Sequence, residues 1–328
     1  MDDSRRIRKI GMEQRIAWFT EGGSQGRIPR NFRGMRNDSA WMCTLGAEHY
    51  NIHNIDWWKA ETKPYDLGIV TIPKKNPQFN IEKIRSHCKQ VAFMQEGPHW
   101  YFQDYPLDQQ IWYYNTLQEV DFLFVHNEID KKYYEGLTGK PCMLMPCLML
   151  EDNINQLPVV ERSGVMIGGN FCSWYGGFDS YIVAQEFECK ITAPSMGRRI
   201  EGEEQMPGLT HLPYMDWTDW IYRLNDVKYG VHLMRTHAAG TFALNCAYLG
   251  IPCIGYKGLD TQELCHPDCT IEFGDITKAK QIAEKLRKDD EFYLYCNNKA
   301  KENYKKYFNE DKFNTTIEEQ FKVSPVVI

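Results

Sequence analysis

Residues 229–256 read YGVHLMRTHAAGTFALNCAYLGIPCIGY, and this stretch decides the fold class. It opens with an apolar run of β character and passes through a turn at residues 235–237 into small residues that can begin a helix. The helix ends at Gly250, and a short apolar strand follows Pro252. A strand, a helix and a second strand in this order predict an α/β protein.

The start of this helix predicts an anion site. The N–H groups of a first helical turn have no carbonyl partner within the helix, and the helix dipole favours negative charge. Arg235 stands beside that start in the sequence. We therefore expect a phosphate or diphosphate to bind Arg235 and the backbone amides of residues 237–241.

The rest of the chain repeats the alternation of strands and helices. Strands are predicted at residues 16–20, 65–72, 90–94, 120–126 and 142–150, and again from residue 165 onward, with helical segments between them. A polar segment with Pro158 separates the two halves. This pattern predicts domains at residues 1–157 and 158–328, each with a parallel sheet.

Composition limits the function classes. The formal net charge is -6, so no global basic field attracts nucleic acid or an acidic membrane. Eleven cysteines without a regular framework indicate reduced, intracellular usage. No apolar run reaches the roughly 18 residues of a membrane span, and no signal peptide is evident. We expect a soluble, cytoplasmic protein that does not bind membranes.

The opening stretch resembles the donor-binding segment of the GT-B glycosyltransferases. That family carries two Glu residues separated by seven others, followed by a small-residue helix that ends in Gly-x-Pro-Val. Here the helix ends in Gly250-Ile251-Pro252, and His237 and Asn245 stand where the family has its two Glu residues. In the family these positions contact the sugar and the nucleotide ribose. The resemblance implies an α/β fold with two Rossmann-like domains facing a central cleft, and a last helix that crosses back to the N-terminal domain.

The second domain begins like the GT-B donor domain. Its first strand leads into GGNFCSWYGGFDSYIVAQEF, a glycine loop before a helix from about Asp179. Tyr175 stands where the family often has a basic residue, and Arg198 or Arg199 can supply the missing charge. Trp217 and Tyr214 can stack on the nucleotide base, or they can pack in the core. The residues that the resemblance assigns to a nucleoside diphosphate sugar, expected to be a UDP-sugar, are Gly168, Gly169, Arg198, Tyr214, Arg235, His237, Gly240, Thr241 and Asn245.

A loop after the predicted strand at residues 90–94 offers reactive groups. It carries Glu96 and His99, followed by an aromatic run at residues 100–102 that can stack on a sugar or a base. In an inverting sugar transfer, a carboxylate or a histidine takes the proton of the acceptor hydroxyl. Glu96 and His99 are therefore the candidate catalytic residues; the alternative is a packed loop.

A second glycine loop, with Gly22 and Gly23, follows the first predicted strand, and four arginines come after it. Arg27, Arg30, Arg33 and Arg36 recur at intervals of three. They can clamp phosphates of the donor or of a polyanionic acceptor such as DNA, or they can form a solvated surface. Gly22, Gly23, Arg27, Arg30 and Arg33 are the candidate acceptor-binding residues.

The resemblance implies a hexosyl- or pentosyltransferase that needs no cofactor. The sequence carries no Walker A motif, which argues against a phosphate-loop kinase, and no Asp-x-Asp motif between strands, which favours an enzyme that needs no metal. The compact size and the arginines are similar to the phage enzymes that glycosylate hydroxymethylated pyrimidines in double-stranded DNA, which would place the protein in host cytoplasm. One alternative is a glycosyltransferase of surface glycan biosynthesis. Another is a nucleotide- or nucleic-acid-binding protein without catalysis.

Overall fold

The computed structural model describes residues 14–22, 26–53, 64–72, 79–95, 99–154, 156–172, 174–194 and 202–323. These residues form two compact units. The first comprises the described residues up to 32, residues 38–146 and residues 313–323, and the second comprises residues 33–37 and 147–312. Each unit contains one largely parallel sheet and its helices, which confirms the predicted α/β class.

Seven strands form the sheet of the first unit within the described residues. They are β1 (Ile16–Thr20), β2 (Gly26–Arg27), β3 (Glu48–Asn51), β4 (Tyr65–Thr71), β5 (Cys88–Met94), β6 (Phe122–Val125) and β7 (Cys142–Leu144). Their order in the sheet is β2-β3-β1-β4-β5-β6-β7, with β2 antiparallel to β3 and the other recorded pairs parallel. The helices of this unit are α1 (Asn37–Thr44), α2 (Ile81–Arg85), α3 (Leu107–Glu119) and α4 (Glu128–Thr138).

Apolar central strands hold this sheet in the interior. Phe19, Val70 and Phe93 are fully buried in one core with Tyr113 of α3 and Tyr134 of α4. Strands buried on both faces read as continuous apolar runs, which explains why the sequence predicts them well. Strands β5 and β6 are parallel and in register, so the loops that follow them leave the same edge of the sheet.

The second unit contains a second sheet. Its strands within the described residues are β8 (Val165–Ile167), β9 (Ile191–Ala193), β10 (Leu209–His211), β11 (Tyr229–His232), β12 (Cys253–Tyr256) and β13 (Thr270–Ile271). They pair in parallel in the order β10-β9-β8-β11-β12-β13. Its helices are α5 (Gly177–Ala184), α6 (Trp217–Asn225), α7 (Thr241–Leu249), α8 (Asp260–Cys265), α9 (Ile276–Lys288) and α10 (Asp290–Tyr307). Helix α11 (Glu310–Val323) follows and belongs to the first unit from residue 313 onward.

Helix α7 is the helix predicted from residues 229–256. Gly240 precedes it with a φ of 67°, and Gly250 ends it with a φ of 71°. Both values lie in the left-handed region that favours glycine. Most of its side chains are buried on every side, as expected for a helix without a polar face.

The last helix differs from its prediction. The sequence predicts one helical tract from residue 290 towards residue 321, whereas the structure has α10 and α11, separated at residues 308–309. Asn309 causes the break, because its Oδ1 accepts the Lys312 N–H at 2.7 Å and so caps a new helix. On α11, Gln320, which belongs to the first unit like Leu144, exchanges two hydrogen bonds with the Leu144 backbone, at 2.5 and 2.8 Å.

The state of the cysteines and the length of the helices can be compared with the predictions from composition. All eleven cysteines lie in the described residues, where they are free thiols. Among the helices that the structure describes, none has both the length and the apolar character needed to cross a bilayer.

Candidate functional site

The carboxyl edge of the second sheet brings the loops after β8 and β11 together. Ile167 pairs with Val231 in register, and the Gly168 N–H donates to the Val231 carbonyl at 2.8 Å. Gly168 and His232 are therefore neighbours at this edge. Ligands of open α/β sheets bind outside the carboxyl ends of the strands, so this edge is the candidate site of the second unit.

The two glycines after β8 permit close packing. A Cβ atom on Gly168 would overlap the His232 ring and crowd Phe242, and one on Gly169 would lie 2.7 Å from the Tyr175 Cβ atom. Larger residues would therefore displace this loop. The structure places both glycines in the predicted loop, where both are buried.

The second glycine pair closes the loop onto the sheet. Gly176 has a φ of 60°, and a Cβ atom there would overlap the carbonyl oxygen of Leu233. The Gly177 N–H donates to the Asn170 carbonyl at 3.1 Å. Helix α5 consequently begins at Gly177, two residues before the predicted start at Asp179.

Arg235 lies in the loop after β11 and contacts the loop after β8. Its backbone N–H donates to the Trp174 carbonyl at 3.1 Å, and its guanidinium lies 2.6 Å from the Asp179 carboxylate. Hydrogen bonding to Asp179 raises the pKa of Arg235. The sequence prediction missed Asp179, although an acidic residue in the first turn of a helix after a glycine loop was a visible signal.

The start of α7 joins the loops after β11 and β12. The Thr261 hydroxyl donates to the Gly240 carbonyl at 2.9 Å, and the His237 ring packs against Gly258. Thr241 is the first residue of α7. The predicted anion-binding residues therefore lie at the N-terminus of a nine-residue helix, where the first-turn N–H groups have no acceptor within the helix.

Two residues predicted to bind the donor sugar nucleotide, Tyr214 and Asn245, differ in their exposure to solvent. Tyr214 follows β10 and is 62% exposed, and the Arg36 guanidinium lies 5.3 Å above its ring and donates to its hydroxyl. Asn245, in contrast, is buried in the second turn of α7. The ring predicted to stack on the base is therefore accessible at Tyr214, whereas the predicted ribose contact would require the buried Asn245 side chain to become accessible.

Aromatic residues expected to stack on a base pack within the protein. Trp217 is buried at the start of α6. Phe102 stacks on Tyr113 with the ring centroids 4.6 Å apart, and it packs against the core of the first unit. These two rings therefore contribute to stability, and Tyr214 is the more accessible of the predicted stacking residues.

Buried polar atoms surround the glycine loop after β8. Among the described residues, no hydrogen-bond partner is found for Asn170 Nδ2 or for either ring nitrogen of His232, and the nearest charged partner of Glu203 Oε2 is His211 Nε2 at 3.9 Å. Glu203 nevertheless holds the loop, because its Oε1 accepts the Phe171 N–H at 2.6 Å. Buried polar atoms are rarely unpaired in folded proteins. Their concentration here indicates a place where a polar ligand or ordered water completes the structure.

The arginines predicted to bind an acceptor do not share one unit. Arg27 lies 3.9 Å from Glu48 in the first unit, whereas Arg33 pairs with Asp219 at 2.5 Å in the second. The Arg33 carbonyl also accepts both the N–H and the hydroxyl of Thr218, each at 3.0 Å. All four arginine side chains are exposed, namely those of Arg27, Arg30, Arg33 and Arg36.

Several predicted site residues fall in the gaps between the described ranges. Gly23, Glu96, Arg198 and Arg199 lie outside the described residues. Gly22, which precedes one of these gaps, has a φ of 74° in the left-handed region.

His99 is the predicted catalytic residue that the structure places. It follows β5, and its Nδ1 atom lies 2.8 Å from Oδ1 of Asp130, in the first turn of α4. Asp130 is only 2% exposed, whereas the His99 side chain is 20% exposed. The His99 ring also lies against Tyr133, with the ring centroids 4.3 Å apart.

Asp130 is itself held by Asn127. The Asn127 Oδ1 atom accepts the Asp130 N–H at 2.8 Å, and its Nδ2 atom donates to Asp130 Oδ2 at 3.1 Å. The sequence prediction missed both residues. A signal existed, because Asn-x-x-Asp directly after a strand is similar to a reciprocal helix cap, but nothing in the sequence connects that cap with His99.

Comparisons with known proteins agree on the fold. No protein-family model matches the chain, and no curated protein matches it by sequence. Solved structures do match. Sucrose-phosphate synthase from Thermosynechococcus elongatus is 10% identical, with a TM-score of 0.65 over 94% of this chain and 98% of that one. HepE from Anabaena, solved with UDP-glucose, is 10% identical, with a TM-score of 0.65 over 95% of this chain and all of the other.

A third solved structure is TarM of S. aureus, which is 11% identical, with a TM-score of 0.55 over 77% of this chain and 55% of that one. At such low identity these similarities concern the fold. They agree with two Rossmann-like units, each built on a largely parallel sheet. The chain therefore has the fold of the GT-B glycosyltransferases.

Proposed function

We propose that this protein is a glycosyltransferase that moves a sugar from a nucleoside diphosphate sugar to an acceptor hydroxyl. One observation carries the proposal. Buried polar atoms of Asn170 and His232, for which the described residues offer no hydrogen-bond partner, lie beside a glycine loop that is tied to Arg235 at the carboxyl edge of the second sheet. The fold shared with GT-B glycosyltransferases supports the same interpretation.

The proposed donor is a UDP-sugar bound by the second unit. HepE was solved with UDP-glucose, and TarM with UDP. In this chain, Arg235 and the first-turn amides of α7 are assigned to the diphosphate, and Tyr214 to the base. A guanidinium and a helix N-terminus both favour the negative charge that grows on a departing diphosphate. We propose that these groups supply the stabilisation that the leaving group needs.

On the acceptor side, the proposal assigns proton transfer to His99 of the first unit. A histidine held by a buried carboxylate is a suitable general base for a hydroxyl. In an inverting transfer, His99 would accept the proton as the hydroxyl oxygen bonds to the sugar. Glu96, which stands close to His99 in the sequence, remains the alternative base.

For the acceptor, we propose a carbohydrate hydroxyl first and a hydroxymethylated pyrimidine in DNA second. Ion pairing to Glu48 and Asp219 partly compensates the charges of Arg27 and Arg33, which weakens the case for a DNA clamp. All four arginines are nevertheless exposed, and this observation keeps DNA as the second candidate.

Thermal unfolding in the presence of nucleotides tests the donor. We would titrate the chain with UDP, UDP-glucose, ADP and GDP. A ligand at a hundred times its Kd stabilises a folded protein by about 2.7 kcal/mol, so UDP and UDP-glucose should raise the Tm clearly. If none of these nucleotides raises the Tm, the proposal is wrong and a protein without this activity becomes the better interpretation.

A matched pair of variants localises the binding. Arg235→Gln should remove most of the UDP-dependent shift. Arg223→Gln is the control, because Arg223 also forms an exposed ion pair in the second unit, with Asp226 at 3.0 Å. Equal shifts in both variants would place the nucleotide elsewhere.

A further inference from the structure

The hydrogen bonds around Asp130 have only one consistent set of directions. The Asp130 N–H donates to Oδ1 of Asn127, which fixes the orientation of the Asn127 amide. Its Nδ2 group therefore faces Asp130 Oδ2 and donates to it. The remaining oxygen, Oδ1, faces His99 Nδ1 at 2.8 Å. A carboxylate can only accept hydrogen bonds, so Nδ1 of His99 must donate.

This geometry fixes the tautomer of His99. A neutral imidazole carries one proton, so a proton on Nδ1 leaves the lone pair on Nε2. Water cannot easily replace the bond because Asp130 is 2% exposed. The Tyr133 ring, whose centroid lies 4.3 Å from that of His99, restrains the plane of the imidazole.

We propose that Asp130 and Asn127 are positioning residues, which hold His99 in the tautomer whose Nε2 atom can take a proton from an acceptor hydroxyl. The inference rests on the proposed function and deepens it. The acceptor O–H bond breaks and its proton goes to Nε2. The oxygen then bonds to the anomeric carbon, and the diphosphate leaves with the electron pair of the broken C–O bond. The imidazolium keeps its Nδ1 proton towards Asp130, whose charge stabilises it.

Replacing Asp130 with its amide should reverse the tautomer. In Asp130→Asn, the Nδ2–H of Asn127 still needs an acceptor, so the new carbonyl oxygen faces Asn127. The new NH₂ group then faces His99 and requires Nδ1 to accept, which moves the imidazole proton to Nε2. The protonated Nε2 cannot take a proton from a hydroxyl.

Removing the constraint should restore the original tautomer. In the double variant Asn127→Ser/Asp130→Asn, the serine can still cap the helix, but the Nδ2 donor is gone. The amide can then turn its carbonyl to His99 and accept from Nδ1. A purely structural role for Asp130 predicts no such rescue, because the double variant removes more native contacts than the single one.

The test combines nitrogen NMR of the His99 ring with turnover measurements. His99→Gln assigns the ring signals, and Glu128→Gln is the control because Glu128 is an exposed carboxylate in the same helical turn. We expect the proton on Nδ1 in the wild type, the control and the double variant, and on Nε2 in Asp130→Asn. Turnover of Asp130→Asn should fall about 10²–10⁴-fold with an unchanged Kd for UDP, and the double variant should recover part of it.

Three results would overturn the inference: a wild type protonated on Nε2, an Asp130→Asn variant that keeps the wild-type tautomer, and a reversed tautomer with unchanged turnover. The NMR measurement requires no substrate. If the wild type binds no UDP, the proposed function fails, while the tautomer measurement still decides whether Asn127 and Asp130 orient His99.

Discussion

The guanidinium of Arg235 lies 2.6 Å from the carboxylate of Asp179, yet 47% of the Arg235 side chain remains exposed. Arg235 lies in the loop after β11, and Asp179 lies in the first turn of α5. A phosphate that binds Arg235 must therefore share the guanidinium with a carboxylate that already compensates its charge.

Substitutions of Arg235 and of Asp179 should change nucleotide affinity in opposite directions. Asp179→Asn should tighten UDP binding about 2–5-fold, since exposed ion pairs are worth about 0.2–1 kcal/mol. Arg235→Gln should weaken it about tenfold or more, because hydrogen bonds to charged groups contribute about 1.5–3 kcal/mol. Calorimetric titration with UDP measures both. Weaker binding by Asp179→Asn would mean that Asp179 supports the loop rather than competing with phosphate.

The glycine loop should tolerate no side chain at Gly176. Alanine there would combine a left-handed φ of 60° with overlap of the Leu233 carbonyl, and we expect a loss of at least about 3 kcal/mol in the free energy of unfolding. Gly136→Ala is the matched control, because Gly136 lies in α4 with open space around it. Alanine in a helix should stabilise by up to about 1 kcal/mol. Urea unfolding compares the two, and equal stabilities would contradict the close approach of Gly176 to Leu233.

Stability should fall in mild acid because of His232. Burial lowers the pKa of His232 to about 4 in the folded state, whereas an unfolded histidine has a pKa of about 6.5. The unfolded state therefore binds more protons between these two values, so the free energy of unfolding decreases as the pH falls through this range. From pH 7 to pH 5 this one residue should cost about 2 kcal/mol.

His232→Leu tests this pH dependence by urea unfolding at both pH values. The variant should lose about 2 kcal/mol less than the wild type over the same interval. Burial also lowers the pKa of His266 to about 4, so part of the pH dependence should persist. A His232→Leu variant with the full wild-type dependence would show that His232 is accessible to protons in the folded state.

The two candidate acceptors predict different effects of salt. Binding to double-stranded DNA should weaken with salt, with a log–log slope of about −0.9 for each phosphate contacted. Arg27→Gln/Arg30→Gln should reduce that slope by about 2. These two are chosen because the Arg33 side chain also pairs with Asp219 of α6. A carbohydrate acceptor predicts little salt dependence and no effect of the double variant. Fluorescence anisotropy at several salt concentrations separates the two candidates.

The sequence predicts the buried strands and α7 well because their signals are local. Continuous apolar residues identify β4 and β5, and Gly250 followed by Pro252 marks the end of α7. Strand β3, with the polar sequence EHYN, was missed, because its place in the sheet depends on pairing with β1 rather than on its composition.

The candidate site was less predictable for a similar reason. His99 and Arg235 could be singled out because of their residue types and their positions after strands. Their partners, Asp130 and Asp179, lie 31 and 56 residues away in sequence. Only the register of neighbouring strands brings such pairs together, and that register is a property of the folded sheet.

The side chain of Gln320 forms hydrogen bonds with the backbone of Leu144 on β7, which is the last strand of its sheet. The free edge of a sheet is a template on which another chain can add a strand, and unprotected edges promote aggregation. One glutamine amide satisfies both the N–H and the carbonyl of Leu144, as a neighbouring strand would. Helix α11 thus protects this edge at Leu144. A chain shortened before α11 would leave the Leu144 N–H and carbonyl available to a strand of another copy, and we expect it to aggregate more readily.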